Sequence, residues 1–308
     1  MTRAFFIVGP TATGKSELAA DVAREVGAEI VSADAFQIYR GLDLLTAKPD
    51  ASTLAKAPHH LIGIVPLAEE MNAEKFRRSA WRAIDEINSR CKLAIVVGGS
   101  GLYIKALTHG LAPLPESDPK LREKLNAKSL DDLRSQLAEV DPGTARKIDL
   151  KNRRRVVRAL EICLLTGRPA SEVVAGVGDS GWPGSPIPAT GVFLFRDREG
   201  LYERINQRVQ AMFERGVIEE VRAAGAISAT ASQMIGLREI RELLEGKMWL
   251  AQCIAEIQQA TRRYAKRQLT WLRRQTNFFP LNLSFLTHKE AVKWISLRML
   301  SGAGTRDD

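Results

Sequence analysis

Residues 9–16 read G-P-T-A-T-G-K-S, directly after the apolar run Ala4–Val8 and directly before a stretch with helical spacing. Strand, glycine-bounded loop, then helix is the order in which backbone N–H groups can converge on an anion. Gly9 and Gly14 let the chain curl, Lys15 adds a point charge, and Ser16 offers a hydroxyl to Mg²⁺. The helix contributes the positive end of its dipole. Gly9, Pro10, Thr11, Ala12, Thr13, Gly14, Lys15 and Ser16 are therefore the expected residues for binding a di- or triphosphate. By motif alone the loop is also ATP-binding, so the ligand class is a di- or triphosphate.

The following segments fit a parallel sheet. Glu17–Val26 has a helical pattern, and Glu29–Val31 is a short strand leading into Ser32-Ala33-Asp34. Residues 73–90 put Phe76, Ala80, Ile84 and Ile87 on one helical stripe. Leu93–Val97 is apolar throughout, as expected of a strand buried on both faces, and ends in Gly98-Gly99-Ser100-Gly101. The expected fold is α/β: a P-loop-type parallel sheet flanked by helices, binding ligands at the strands' carboxyl ends.

Near Pro113-Leu114-Pro115 the alternation stops. Helices alone follow, one after Pro119, one capped by Ser129, and one from Asn152 to Leu165 that stops at Thr166-Gly167. Gly, Pro and Ser crowd 176–188, a strand resumes at Thr190–Phe195, and the remainder reads as helical, with a long helix over Trp249–Arg274. The expected division is a discontinuous P-loop core (1–116 and 188–300), an all-helical insertion (117–187) and a disordered tail (301–308), with a helical C-terminal part in the core. A chain of 308 residues is long enough for one domain carrying an insertion.

The net charge of +9 raises the expectation of a polyanionic partner. It is concentrated. Arg146, Lys147, Lys151, Arg153, Arg154, Arg155 and Arg158 are opposed only by Asp149, and Arg262, Arg263, Lys266, Arg267, Arg273 and Arg274 are interleaved with Tyr264 and Trp271. Basic residues among aromatics suit RNA backbone and unstacked bases. A solvated helix face is the competing reading of any such run.

Cys91, Cys163 and Cys253 have no metal spacing, and His59-His60 lacks partners for a zinc site. No apolar run is long enough to span a bilayer, and the first strand begins too early for a signal peptide, so a cytoplasmic monomer is expected.

Asp34 has three readings at this point: a carboxylate that holds metal, a general base, or a cap for the turn after the strand. The strand at 93–97 ends in glycines where an ordinary ATPase places a Mg²⁺-binding aspartate. Ser100 puts a hydroxyl in a turn whose N–H groups can reach a phosphate oxygen.

An ordered set of motifs then extends over nearly the whole chain. It comprises G-P-T-A-T-G-K-S (9–16), D-A-F-Q-I-Y (34–39), T-A-K-P (46–49), P-H-H-L-I (58–62), G-G-S-G-L-Y (98–103), N-R-R-R-V-V-R-A-L-E (152–161), L-Y-E-R-I-N-Q-R-V (201–209), M-I-G-L-R-E (234–239) and A-K-R-Q-L-T-W-L-R (265–273). Through these the chain resembles the bacterial tRNA dimethylallyltransferases, also called tRNA isopentenyltransferases. The resemblance implies Mg²⁺-dependent transfer of a dimethylallyl group from dimethylallyl diphosphate to N6 of the adenosine 3′-adjacent to a tRNA anticodon, with release of diphosphate.

Carried over by position, the resemblance implies that Asp34, Ser100 and Arg208 are catalytic. Asp34 would be the base for the adenine amine, and Arg208 a diphosphate ligand. Ser100 replaces the family's usual Thr and keeps the hydroxyl. Gln37 would read the target base, with Tyr39, Lys48 and Pro49 walling it. The tRNA contacts would be Asp34, Ala35, Phe36, Gln37, Ser100, Arg122, Arg154, Arg155, Val156, Val157, Arg158, Gln233, Met234, Ile235, Gly236, Leu237 and Arg238. The sequence departs from the family at Ala35 (usually Ser), Leu45 (usually Gly) and Gly63 (usually Asp), none of which carries a proposed catalytic charge.

Two other classes compete. A small-molecule kinase of the phosphate-loop class would consume ATP without RNA. A non-catalytic RNA-binding module would bind tRNA equally well after Asp34→Ala.

Overall fold

The computed structural model describes residues 3–112, 114–175, 187–188 and 190–303. Six strands, β1 (Ala4–Val8), β2 (Glu29–Ala33), β3 (His59–His60), β4 (Ala94–Gly98), β5 (Thr190–Phe195) and β6 (Phe278–Asn282), form one sheet in the order β3-β2-β4-β1-β5-β6. Every pairing is parallel. The helices in chain order are α1 (Lys15–Val26), α2 (Ala51–Leu54), α3 (Ala73–Ser89), α4 (Gly101–Thr108), α5 (Pro119–Asn126), α6 (Leu130–Val140), α7 (Pro142–Lys147), α8 (Arg153–Thr166) and α9 (Ala170–Ala175). They continue with α10 (Arg198–Glu214), α11 (Val217–Arg222), α12 (Leu237–Leu244), α13 (Leu250–Leu272) and α14 (His288–Ala303).

The central strands β1 and β4 are apolar along their length because alternate side chains enter different cores. Phe6, Val8, Val31, Ala33 and Val96 face a core built with α3, α4 and α13 through Phe76, Ile84, Ile104, Leu107, Ile257 and Leu272. Ile7, Ile30, Ile95 and Val97 face the other side, covered by Leu18 and Val22 of α1 and Ile295 and Met299 of α14. Burying each such side chain contributes roughly 1.5–3 kcal/mol. The sheet is therefore rigid where it presents its carboxyl ends.

Two strands escaped the sequence reading. Only His59 and His60 make up β3, too short for a period-2 signal. The segment at 278–282 carries Pro280, which argues against a strand, but β6 pairs only with β5 at the sheet's edge, where a proline is tolerated. The expectation of helix alone after β5 is thereby corrected. Elsewhere α1 begins at Lys15 rather than Glu17, and the long helix spans Leu250–Leu272.

The contacts divide the chain into two compact units, Met1–His109 with Pro186–Asp308, and Gly110–Ser185. The second unit packs α5–α8 around Leu125, Leu133, Leu137, Val156, Val157 and Leu160, and α9 against Ile162 and Cys163 of α8. Most of the Gly/Pro/Ser-rich stretch (176–186) lies outside the described residues, and so do 304–308 of the expected tail; α14 itself runs to Ala303. No helix among the described residues is long and apolar enough to cross a membrane.

Candidate active site

The phosphate loop leaves β1 with Gly9 against the neighbouring strands. Gly9 N donates to Gly98 O of β4 at 3.1 Å, and a Cβ on Gly9 would lie 2.6 Å from Leu194 O of β5. Ala12 and Gly14 adopt positive φ (65° and 92°), which turns successive peptides over. The outward carbonyls are held by arginines: Arg204 Nε donates to Ala12 O and Arg196 Nε to Thr13 O, each at 3.0 Å. A peptide's N–H points opposite to its C=O, so the N–H groups of Thr13 and Gly14 turn inward. They meet no acceptor among the described residues. With the free N–H groups of the first turn of α1 they form an anion cradle.

Two cations face it. Burial lowers Lys15 to about 8, with Asp34 opposing that shift and Arg208 adding to it. Arg208, on α10, is lowered to about 10, again mainly by burial. Its Nε is buried without a hydrogen-bond partner among the described residues. A buried guanidinium nitrogen left unpaired is costly and marks where an acceptor belongs. Lys15, Arg208 and Asp34 all lie within electrostatic reach of one another.

Asp34, just past the end of β2, divides its two oxygens between two tasks. Its Oδ1 accepts from Phe36 N (2.9 Å) and Gln37 N (3.2 Å), which is the turn-capping role considered above. Its Oδ2 accepts no hydrogen bond from a described residue. Asp34 lines a cleft with Lys15, Ser16, Ser32, Gln37, Pro49, His59 and Ile62. Capping thus aims the carboxylate and does not exhaust it. Ser100 Oγ accepts Ala35 N at 3.0 Å, locking the β4 turn to the β2 turn.

The surrounding wall comes from loops in which Leu42, Ala47 and Leu61 take positive φ (51°, 49° and 63°). Gln37 lines the cleft but donates its amide to Ala47 O at 2.9 Å, leaving Oε1 as the group that can accept from a base. Lys48 is a staple for the loop: its Nζ bonds Tyr39 O (2.5 Å), Gly41 O (3.0 Å) and the Asp43 carboxylate. Tyr39 is fully buried and accepts Met71 N. Of the departures, Gly63 sits at φ 64° and donates to Gln37 O, a conformation glycine adopts without strain. Leu45 fills the core against Gly236.

The aromatics of the C-terminal basic run, both part-buried, pack beside this site while Arg263, Lys266, Arg267, Arg273 and Arg274 around them are exposed. Trp271 packs on Gly101, where a Cβ would approach its ring to 2.7 Å. The Tyr264 phenol is pushed up to about 12, first by burial and then by the Asp34 charge. Arg262 donates to Asn206 at 2.6 Å. The sequence assigns Arg196, Arg204 and Gln268 no role, because nothing in their spacing links them to residues 9–16.

The proposed RNA contacts separate into open and occupied side chains. In the second unit, Arg122 bonds both oxygens of Glu161 (2.9 and 3.1 Å), and Arg158 bonds Glu161 Oε2 (2.5 Å) and Pro115 O (2.7 Å). Arg154 and Arg155 are exposed and have no partner among the described residues. Val156 and Val157 were expected as contacts, yet their side chains are core, as are those of Met234 and Leu237. The reason is helical phase: Val156 and Val157 point inward while Arg154 and Arg155 point out. Ile235 packs on the same core, Gly236 caps α12, and Gln233 and Arg238 are exposed, the latter paired with Glu239.

A family model described as IPP transferase matches residues 37–275. The chain is 44% identical over 275 residues to tRNA dimethylallyltransferase 1 of Citrifermentans bemidjiense, covering 88% of this chain and 89% of that protein. It is 42% identical over 283 residues to the tRNA dimethylallyltransferase of Geobacter sulfurreducens, covering 89% of each. Among solved structures, the tRNA isopentenylpyrophosphate transferase of Bacillus halodurans superposes with a TM-score of 0.71 at 33% identity, covering 98% of this chain and 96% of that one. A eukaryotic dimethylallyltransferase solved while acting on tRNA gives 0.81 at 26% identity, covering 98% and 80%.

Proposed function

This chain belongs to the IPP transferase family, and from that premise we propose that it transfers a dimethylallyl group from dimethylallyl diphosphate to N6 of the adenosine 3′-adjacent to the anticodon of tRNA. The observation that carries the reading is Asp34. One of its oxygens is spent on aiming the side chain, and the other is free in a cleft shared with Lys15 and Ser16.

The chemistry needs a poor nucleophile held against an allylic carbon, a proton acceptor, and a sink for the leaving anion. The target adenine leaves its stack to enter the cleft, and Gln37 Oε1 accepts from its edge. As the N6–C bond forms and the allylic C–O bond breaks, Asp34 Oδ2 takes the N6 proton and the electron pair departs with the diphosphate. A positioned base accounts for about 10²–10⁴ in rate. The inward N–H groups of the loop, Lys15 and Arg208 stabilise the departing charge, and their geometry is set before the substrate arrives.

A divalent cation, Mg²⁺ in this reading, fits the same place. The Ser16 hydroxyl that lines the cleft is a hard oxygen donor of the kind Mg²⁺ selects, and the diphosphate oxygens would supply others. Ser16 would hold it, and the ion would supply further neutralisation of the diphosphate. Arg154 and Arg155, with Gln233 and Arg238, are the side chains open to the RNA.

Incubating the protein with labelled dimethylallyl diphosphate and bulk tRNA, followed by nucleoside analysis, tests the reading. Prenylated adenosine formed without ATP supports it. Turnover of ATP with unmodified RNA would replace it with the kinase reading.

A further inference from the structure

Gln268 occupies a position on α13 where the helix otherwise turns apolar or small residues inward. Thr261, Ala265 and Leu272, three to seven residues away, are all buried, and Gln268 itself is 6% exposed. A buried carboxamide is costly unless both ends are paired. Both ends are paired here, each to functional backbone. Oε1 accepts Thr11 N of the phosphate loop, and Nε2 donates to Gly99 O of the turn after β4, both at 2.9 Å. The space is reserved for it: a Cβ on Gly99 would lie 2.4 Å from Gln268 Nε2 and 2.5 Å from Gly9 O.

We propose that Gln268 is a positioning residue for prenyl transfer, joining the cradle of the leaving diphosphate to the turn that holds Ser100 beside Asp34. The proposal rests on the function given above. Its physical basis is peptide planarity. Drawing the Thr11 N–H toward Gln268 turns the Pro10 carbonyl of the same peptide to the opposite side. There Pro10 O accepts Thr13 Oγ1 (2.9 Å) and Lys15 Nζ (3.4 Å), so the orientation of one peptide sets the resting place of the catalytic ammonium. Thr11 N–H is thereby withdrawn from the anion, and the inward donors are left to Thr13, Gly14 and the start of α1.

At its other end, Gln268 restrains the Gly99–Ser100 peptide, and Ser100 Oγ in turn receives Ala35 N, one residue from Asp34. A single side chain therefore fixes the distance between the group that receives the diphosphate and the group that receives the proton. An in-line displacement depends on that distance, and a misplacement of about 1 Å costs on the order of 10²-fold in rate.

The test compares Gln268→Leu and Gln268→Glu with wild type and with Leu272→Val, a core change on the same helix. The readouts are kcat, KM for each substrate, pyrophosphate affinity without RNA, and the urea midpoint. Gln268→Leu is expected to lower kcat roughly 10- to 100-fold with KM for tRNA unchanged, and to weaken pyrophosphate binding about tenfold. Leu272→Val should shift the midpoint and leave kcat alone. Gln268→Glu keeps an acceptor for Thr11, loses the donor to Gly99, and brings negative charge to the cradle; it should raise KM for dimethylallyl diphosphate more than Gln268→Leu does. A folded Gln268→Leu protein with wild-type kcat and pyrophosphate affinity overturns the proposal. So does a loss that Leu272→Val reproduces at equal destabilisation. Wild-type protein that transfers no prenyl group overturns the functional reading instead, and the pyrophosphate comparison still decides whether Gln268 shapes the loop.

Discussion

Arg158 donates from Nη1 to Glu161 Oε2 at 2.5 Å, and Glu161 is completely buried. Arg122 and the Asp118 backbone N–H complete the shell of that carboxylate. Two arginines expected as RNA ligands are therefore ion-paired within their own unit while remaining part-exposed. Their neighbours Arg154 and Arg155 have no partner among the described residues.

Salt dependence should separate the two classes. Each lost phosphate contact lowers the slope of log K against log salt by about 0.7–0.9. Arg154→Ala and Arg155→Ala should each reduce the slope for tRNA binding by that amount. Arg158→Ala should leave it unchanged. A full-sized change for Arg158→Ala would show that this arginine leaves Glu161 for the RNA.

Glu161→Gln should destabilise the protein, because two arginines then share a neutral partner in a buried setting. Breaking a buried ion pair costs on the order of 3–5 kcal/mol, and partial exposure of Arg122 and Arg158 puts this case at the low end. The urea midpoint should fall while dimethylallyl diphosphate affinity stays constant. An unchanged midpoint would remove Glu161 as the anchor.

Lys15 predicts opposite pH trends for binding and stability. Held at about 8 in the free protein, it loses its charge above that pH, and affinity for dimethylallyl diphosphate should then fall toward about tenfold per unit. Lys15→Arg should abolish the decline, since arginine stays charged. In the unfolded chain the amine keeps its proton up to its ordinary value of 10.5. Between about 8 and 10.5 the unfolded state therefore binds more protons, so the Lys15 contribution to ligand-free stability should rise with pH in that window. Calorimetric titrations and urea melts across the range check both signs.

Asp34→Asn keeps an oxygen to cap Phe36 N and Gln37 N but no longer accepts a proton. Single-turnover prenyl transfer should slow by about 10²–10⁴, with binding of both substrates retained. A loss below tenfold would move the base elsewhere.

Much of the site could be read from local order. The loop at 9–16 is contiguous, its neighbours in the chain are its neighbours in space, and the glycines at 98–101 announce a close approach at a strand end. The lone carboxylate at the end of β2 was visible too, though its division between capping and a free oxygen was not, since two turn N–H groups select which oxygen remains. Strand β6 was hidden by Pro280, whose cost vanishes only because that strand lies at the edge. Helical phase likewise separates Arg154 from Val156, but pattern alone does not say that Arg158 has a buried acid to answer to.

Composition and contiguous motif were enough to specify an anion cradle on a parallel sheet and to raise the expectation of a polyanionic partner, because those properties depend on residues adjacent in the chain. Which donors face the anion, and what holds them there, depends on Arg196, Arg204 and Gln268. Gln268 meets Thr11 across 257 residues. Hydrogen bonds between distant segments acquire their meaning only when packing brings a polar side chain to an unpaired backbone group, and no periodicity along the chain encodes that meeting.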